Sequence, residues 1–251
     1  MNTGADEMCG RFVQIDATIA RLQAVADFQI RPDTYSPHRH LLESFNVSPQ
    51  RVVVVIKASN GEFQLDEMLW GIRPKWATES SRHLINARSE SLREKPTFRN
   101  LLNQKIVVPA EGFYEWKKHA IIDAGTKTEK TPFYFHRADG SPLLMAGIFQ
   151  RSIDSVTGEI VDSFVILTTS ANAMMSEYHD RMPVIVPPAQ VSEWLLEETT
   201  PSLLARITRP PGNEVLITHQ VSNRVNSSRT DGPDLIKKVD SPGSSEPTLL
   251  T

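Results

Sequence analysis

The chain has 251 residues, 39% of them hydrophobic, and its 27 lysines and arginines against 30 aspartates and glutamates give a net charge of −3. This charge provides no global basic field that would indicate a nucleic-acid partner, and the single cysteine excludes an intramolecular disulfide and a multi-thiolate metal site. No apolar run approaches the roughly 18 residues of a membrane span, and residues 1–7 lack the features of a signal or transit peptide. We therefore expect a globular protein of the cytoplasm with no membrane or metal partner.

Segments rich in β-branched residues predict strands, and apolar residues at helical spacing predict helices. Because strands outnumber helices and do not alternate with them regularly, we expect an α+β fold, a single domain with a mainly antiparallel sheet or barrel core and flanking helices. The predicted elements are a helix over 15–28, strands over 51–57 and 64–72, a helix over 92–104, strands over 105–109, 132–138, 143–150 and 164–169, helices over 171–178 and 189–198, and a strand over 215–221.

The domain is expected to cover residues 9–238. Residues 1–8 are then a leader or lie before the true start, and residues 239–251 form a flexible tail, because both lack any apolar period. Residues 117–130 carry no motif and are interpreted as a variable hairpin insertion between two strands.

Six short clusters of polar and aromatic residues fall between the predicted elements. We interpret them as loops, because functional groups tend to lie on loops that a rigid scaffold holds, and we expect a sheet to gather them on one face. The clusters cover residues 8–12, 45–49, 70–76, 85–88, 111–116 and 179–183.

Cys9 is the most reactive candidate in these clusters, although a lone cysteine is commonly a small buried hydrophobe. Initiation at Met8 and removal of that methionine would make Cys9 the first residue. Its α-amine, with a pKa of about 7.7–8.0 against about 10.4 for lysine, would then attack an aldehyde to form an imine. The thiol would close a thiazolidine ring. Residues 1–7 would otherwise block the amine, unless the protein cleaves its own leader.

The clusters, taken in order, resemble the motifs of the SRAP family, the SOS-response-associated proteins that process abasic sites in DNA. The matching elements are CGRF from Cys9, NVSP from Asn46, WG from Trp70, PKW from Pro74, INARSE from Ile85, GFYEW from Gly112 and HDRMP from His179.

This resemblance runs from Cys9 to about Lys237. It implies a covalent crosslink between an N-terminal cysteine and the ring-opened deoxyribose aldehyde of an abasic site in single-stranded DNA. It also implies DNA lyase activity and peptidase-like self-processing. We expect a monomer without a cofactor, associated with the nucleoid when bound to DNA, or nuclear if the source is eukaryotic.

Three polar residues inside the matched motifs are the expected catalytic partners of Cys9. Asn86 can donate to and accept from the sugar, or it could simply cap a turn. Glu115 lies between two aromatic residues that would raise its pKa toward the range for proton transfer; the alternative is a strand glutamate paired with Lys117. His179 can titrate near neutral pH and protonate the sugar ring oxygen, or it could be a histidine that ends a helix.

Other motif residues are expected to bind DNA. Arginine binds phosphate oxygens bidentately, and aromatic side chains stack on bases. Trp70 and Phe45 are also candidates for stacking, with burial in the core as the equal alternative for Trp70. Asn46 and Pro49 are expected to shape the pocket. The expected DNA-binding residues are Arg11, Asn46, Pro49, Trp76, Arg88 and Arg181.

Two other functions remain open at this point. An N-terminal-nucleophile amidohydrolase of the glutamine amidotransferase kind also begins Met-Cys-Gly, but the sequence offers neither a glutamine-binding loop nor an ammonia-acceptor domain. A non-enzymatic DNA-binding module would account for the arginines and aromatic residues. It would not explain why the motifs together contain Cys9, Asn86, Glu115 and His179.

Overall fold

The computed structural model describes residues 10–25, 28–32, 42–74, 77, 83–119, 130–154 and 157–239. Several predicted features lie outside the described residues: the leader, Cys9, Trp76, most of the expected insertion at 117–130 and nearly all of the expected tail.

Twelve strands and four α-helices are present in the described part of the chain. The strands are β1 Arg11–Gln14, β2 Ser44–Val47, β3 Val52–Ser59, β4 Glu62–Trp70, β5 Asn86–Arg88, β6 Lys105–Ala110, β7 Gly112–Lys118, β8 Lys130–Arg137, β9 Leu143–Ile153, β10 Ile160–Ser170, β11 Arg181–Pro183 and β12 Leu216–Gln220. The helices are α1 Ile19–Val25, α2 Pro96–Arg99, α3 Val191–Leu196 and α4 Pro201–Ile207.

These strands form two sheets. Sheet one has the order β12–β8–β7–β1–β2 and its pairings are antiparallel. In sheet two, β4, β3, β6, β9 and β10 pair in a closed ring, a five-stranded barrel, and β5 and β11 pair with β10. Within the described sheets only the pairings of β10 with β4 and β5 are parallel. The expected α+β fold with a mainly antiparallel core is therefore confirmed.

Both faces of sheet two are covered, and β3 shows how. Val53 and Val55 pack toward sheet one, against residues that include Phe12 and Phe113. Val54 and Ile56 point the other way, into a core shared with α1, α3 and α4. Because side chains alternate between the two faces of a strand, a strand covered on both sides reads as a continuous apolar run. This explains the unbroken apolar sequence of β3.

A third, smaller core lies on the outer face of sheet one. Val13, Tyr114 and Tyr134 point outward from their strands and pack against Val221 and Val225 of the C-terminal segment. This segment, residues 221–236, therefore covers the sheet face that points away from the barrel. The Tyr114 hydroxyl is fixed there by donating 2.7 Å to the Phe45 carbonyl.

All seven predicted strands are present, whereas the predicted helices are shorter or of another type. The helix expected at 15–28 begins at Ile19, where the Thr18 hydroxyl accepts the Arg21 N–H at 3.3 Å. The one expected at 92–104 contains only α2, because Pro96 keeps the preceding residue extended. The helix expected at 171–178 is a 3₁₀ turn over Met175–Glu177. Helix α4 was not predicted.

The interpretation of the motif clusters as loops was wrong for five of the six. They form β1, β2, β5, β7 and β11. Four of these strands have only three or four residues, and most of their side chains are buried. Strands this short carry too few positions for an alternating pattern to be visible in the sequence. Sheet pairing therefore decides to which face of the sheet each of these motif side chains points.

Candidate functional site

Strand β7 carries Glu115 into the space between the two sheets. Phe113 faces sheet two and Tyr114 faces outward, so alternation along the strand returns Glu115 to the inner face. Its side chain is buried, and one carboxylate oxygen accepts the Trp116 N–H at 3.2 Å. The glutamate therefore lies in an enclosed position beneath sheet two.

The pairing of β1 with β7 brings Gly10 to this glutamate. Arg11 lies opposite Tyr114 and Phe12 lies opposite Phe113 in the antiparallel register. Continuing that register by one residue sets Gly10 opposite Glu115. Cys9 lies outside the described residues, but it is bonded to Gly10.

Asn86 and Arg88 enter from sheet two on β5. Asn86 pairs with Ile166 and Arg88 with Thr168 of β10. Ile166 belongs to the core between the sheets, so the register places Asn86 and Arg88 on the face that looks toward sheet one. Asn86 is partly buried and Arg88 is exposed. Asn86 therefore faces the same space as Glu115, with Arg88 at its edge.

The link between β10 and β11 brings His179 to the same edge. Tyr178 packs on Phe133 and Phe135 of β8, with ring centroids 4.8 and 5.0 Å apart. Phe133 is the β8 residue paired with Glu115. The residue that follows Tyr178 is therefore held against the sheet-one hairpin that carries the glutamate.

His179 is held as a neutral ring. Its Nδ1 accepts the backbone N–H of Arg181 at 3.0 Å, which requires that nitrogen to be unprotonated. Burial lowers the pKa of His179, and Lys118, Arg181 and Lys130 lower it further, against an opposing effect of Asp180. Asp180 lies 2.9 Å from the same nitrogen, an ion pair that exists only when the ring is protonated. The lowered pKa favours the neutral form at pH 7, and in that form the hydrogen bond that Nδ1 accepts from Arg181 leaves the ring proton on Nε2.

Arg181 is bound by protein acceptors. Its two terminal nitrogens donate to the Glu90 carboxylate at 2.6 and 2.8 Å, and one of them also donates to the Thr168 carbonyl at 2.7 Å. The hydrogen bonds from Arg181 lower the pKa of Glu90, so the pair is ionised. Glu90 belongs to the INARSE motif but has no role predicted from the sequence; the only signal for one is a carboxylate two residues after Arg88.

Arg11 and Asn46 lie on the opposite, outer face of sheet one. Arg11 donates to the Asn46 side-chain oxygen at 2.9 Å and to the Val225 carbonyl at 2.8 Å. The Asn46 amide donates to the carbonyls of Ser227 at 3.0 Å and Thr230 at 2.8 Å. These contacts hold the C-terminal segment on the sheet.

Replacing Asn46 with alanine is expected to destabilise the fold. The substitution removes the amide that donates to the carbonyls of Ser227 and Thr230 and one of the acceptors of the Arg11 guanidinium, which costs about 2–3 kcal/mol in the free energy of unfolding. Urea unfolding followed by tryptophan fluorescence measures it. Exposed Asn100 is the matched control, and Asn100→Ala should stay within about 0.5 kcal/mol of the wild type. Equal stability of the two variants would contradict this role.

The remaining predicted residues have other surroundings. Pro49 is partly buried in the turn between β2 and β3. Trp70 is fully buried and its indole donates to the Ile85 carbonyl at 3.0 Å, so it belongs to the core and does not stack on bases. Phe45 packs at the margin of the outer core. Trp76 lies outside the described residues.

In the part of the chain that the structure describes, no group of three or more histidine, cysteine, aspartate or glutamate side chains could hold a metal ion. Among those same residues, no helix has both the length and the apolar character needed to cross a membrane. The site is thus a set of amide, carboxylate, imidazole and guanidinium groups at the edge between two sheets.

Comparison with known proteins shows similarity to abasic site processing proteins over most of the chain. Abasic site processing protein YoqW of Bacillus subtilis is 31% identical over 234 residues, covering 92% of this chain and 99% of its own. Abasic site processing protein YedK of Escherichia coli is 30% identical over 236 residues, covering 92% and 100%. Abasic site processing protein HMCES of Xenopus tropicalis is 30% identical over 241 residues, covering 82% and 68%.

The fold is also found among solved structures. The crystal structure of a protein from Bacteroides thetaiotaomicron superposes with a TM-score of 0.73 at 22% identity, covering 92% of this chain and all of that one. Residues 8–228 match the family described as SOS response associated peptidase (SRAP). With this match and relatives of at least 30% identity over most of their length, the chain belongs to the SRAP family.

Proposed function

We propose that this protein processes abasic sites in single-stranded DNA by forming a covalent crosslink through Cys9. The names of its relatives support the substrate. The observation that carries the proposal is the register of β1 and β7, which sets Gly10, the neighbour of Cys9, opposite the buried Glu115. Asn86 and His179 approach the same edge from sheet two.

The proposed chemistry needs a free α-amine on Cys9, as in a mature protein that begins at this residue. An abasic deoxyribose opens to an aldehyde. The amine attacks the aldehyde carbon, a C–N bond forms, and loss of one water gives an imine. The thiol then adds to the imine carbon, its proton passes to the nitrogen, and a thiazolidine ring results. Either initiation at Met8 or removal of the leader, including self-cleavage, would supply the amine.

Three side chains have roles in these steps. Glu115 shuttles protons during carbinolamine and imine formation, and its buried position opposite Gly10, the neighbour of Cys9 in the sequence, supports this role. His179, neutral with its proton on Nε2, donates a hydrogen bond from Nε2 to the sugar ring oxygen as the ring opens. Asn86 orients the opened sugar through its amide. An imine at the same carbon would also permit β-elimination, which is the lyase activity.

DNA is proposed to approach along the edge between the sheets. Arg88 is exposed there, and Lys118 and Lys130, directly opposite each other at the end of the β7–β8 hairpin, add positive charge. The protein is proposed to act as a monomer in the cytoplasm and to be associated with DNA when bound.

The salt dependence of binding separates two of the arginines. Arg88→Ala should reduce the slope of log K against log salt for intact single-stranded DNA by about 0.7, the loss of one phosphate contact. Arg11→Ala should leave the slope unchanged, because its guanidinium is bound to Asn46 and the Val225 carbonyl. Fluorescence anisotropy at four salt concentrations measures both slopes. A reduced slope for Arg11→Ala with none for Arg88→Ala would reverse this assignment.

The proposed function is tested with three oligonucleotides of one sequence: intact, with one abasic site, and with that site capped by methoxyamine. We expect a heat-stable crosslinked band on a denaturing gel with the free abasic site alone. Capping removes the aldehyde without removing the gap in the bases. Equal crosslinking of the capped or intact strand would contradict the aldehyde chemistry.

A further inference from the structure

Glu90 and Arg181 form a bidentate ion pair at the site. Two parallel hydrogen bonds of 2.6 and 2.8 Å join the guanidinium to both carboxylate oxygens, and the Thr168 carbonyl adds a third contact. The Arg181 side chain is only 13% exposed. Bidentate pairs fix geometry as well as charge. The guanidinium is thus held against Thr168 of β10, and the Glu90 carboxylate balances its positive charge.

The backbone of the same arginine orients His179. The Arg181 N–H donates to Nδ1 of His179 at 3.0 Å, and β11 pairs Arg181 with Ser170. Arg181 is therefore fixed by its side chain and in turn fixes the imidazole. A shift of the guanidinium would move the N–H that sets the tautomer of His179.

We propose that Glu90 is a positioning residue, which holds Arg181 and through its backbone N–H keeps the His179 ring oriented with Nε2 directed to the sugar. This role rests on the function proposed for His179. It also gives Arg181 a structural task in place of the phosphate contact expected from the sequence, because its charge is already balanced by a carboxylate.

The charged groups around His179 set the sign of the effect. Asp180 and Arg181 lie on its own segment, and Lys118 and Lys130 act from the β7–β8 hairpin. Removing the charge of Glu90 leaves Arg181 uncompensated beside the ring. Protonation of His179 then becomes harder, and the pKa of His179 falls further.

The test compares Glu90→Gln with Asp162→Asn. Asp162 forms an equally bidentate pair with Arg151, at 2.8 and 2.7 Å, on the β9–β10 hairpin, so it controls for the loss of any such pair. The pKa of His179 is measured by NMR titration of its ring Cε1–H signal in protein without DNA. We expect a lower pKa in Glu90→Gln, no change in Asp162→Asn, and a value near wild type in Glu90→Asp, which keeps the charge.

The second readout is the rate of crosslinking between pH 5 and 8. For each protein, this rate is divided by the rate of the same protein that also carries His179→Ala. Protonation of the ring breaks its hydrogen bond from Arg181, so the ratio should fall at low pH. In Glu90→Gln that fall should move to lower pH together with the pKa of His179. An unchanged pKa and an unchanged profile in Glu90→Gln would overturn the proposal. Absence of crosslinking in every protein would instead refute the function, and the NMR titration would still decide the role of Glu90.

Discussion

Cys9→Ala, prepared with residue 9 as its first residue, is expected to lose the heat-stable crosslink to abasic DNA by at least about 100-fold. The alanine keeps the α-amine but has no thiol, so the reaction stops at an imine that water reverses. Quantitative denaturing gels after heating measure the loss. Binding to intact single-stranded DNA should be unchanged, because no proposed phosphate contact is removed.

Borohydride separates the amine from the thiol in the same variant. Reduction of the imine should recover a crosslink in Cys9→Ala, since the amine still attacks the aldehyde. A protein that keeps residues 1–8 should give neither the heat-stable nor the reducible product at position 9. An undiminished heat-stable crosslink in Cys9→Ala would refute the thiazolidine mechanism.

Glu115→Gln is expected to slow adduct formation by about 10²-fold, the scale of one general acid–base group. The amide has nearly the same shape and can still accept the Trp116 N–H, so the fold should be retained while proton transfer is lost. Single-turnover crosslinking rates at pH 7 measure the effect. Affinity for intact DNA, measured in parallel, should not change.

Glu111 provides the matched control for Glu115. It is a partly buried glutamate directly before β7, where its carboxylate accepts the Ile15 N–H at 2.9 Å, and burial raises its pKa. Glu111→Gln should cost stability through that hydrogen bond and leave the crosslinking rate unchanged. An equal slowing in both variants would show that the rate follows the integrity of β7, and proton transfer by Glu115 would be rejected.

Long apolar strands were predictable because their burial is visible in composition alone. The run RVVVVIK predicts β3 whichever faces are covered. Short strands such as Asn86–Arg88 and Arg181–Pro183 were not, since three residues carry no periodicity and their conformation comes from pairing with β10. Pairing between strands that are far apart in the sequence depends on the whole fold, so a local sequence pattern does not predict it.

The candidate site was likewise only partly predictable from the sequence. The sequence named Asn86, Arg88, Glu115 and His179, and sheet pairing orders them around one edge. It did not separate Arg11 from Arg88, because the two arginines differ only in which face of a sheet they occupy. The role of Glu90 was equally hidden, since it depends on a guanidinium 91 residues away.

The central claim is tested most directly by the intact mass of the crosslinked species. Protein and an abasic oligonucleotide are reacted, purified under denaturing conditions and weighed by mass spectrometry, followed by peptide mapping of the attachment point. The account predicts a mass equal to the chain from Cys9 to its end plus the oligonucleotide less one water, with the attachment at Cys9. An adduct that retains residues 1–8, or one attached through a lysine, would contradict it.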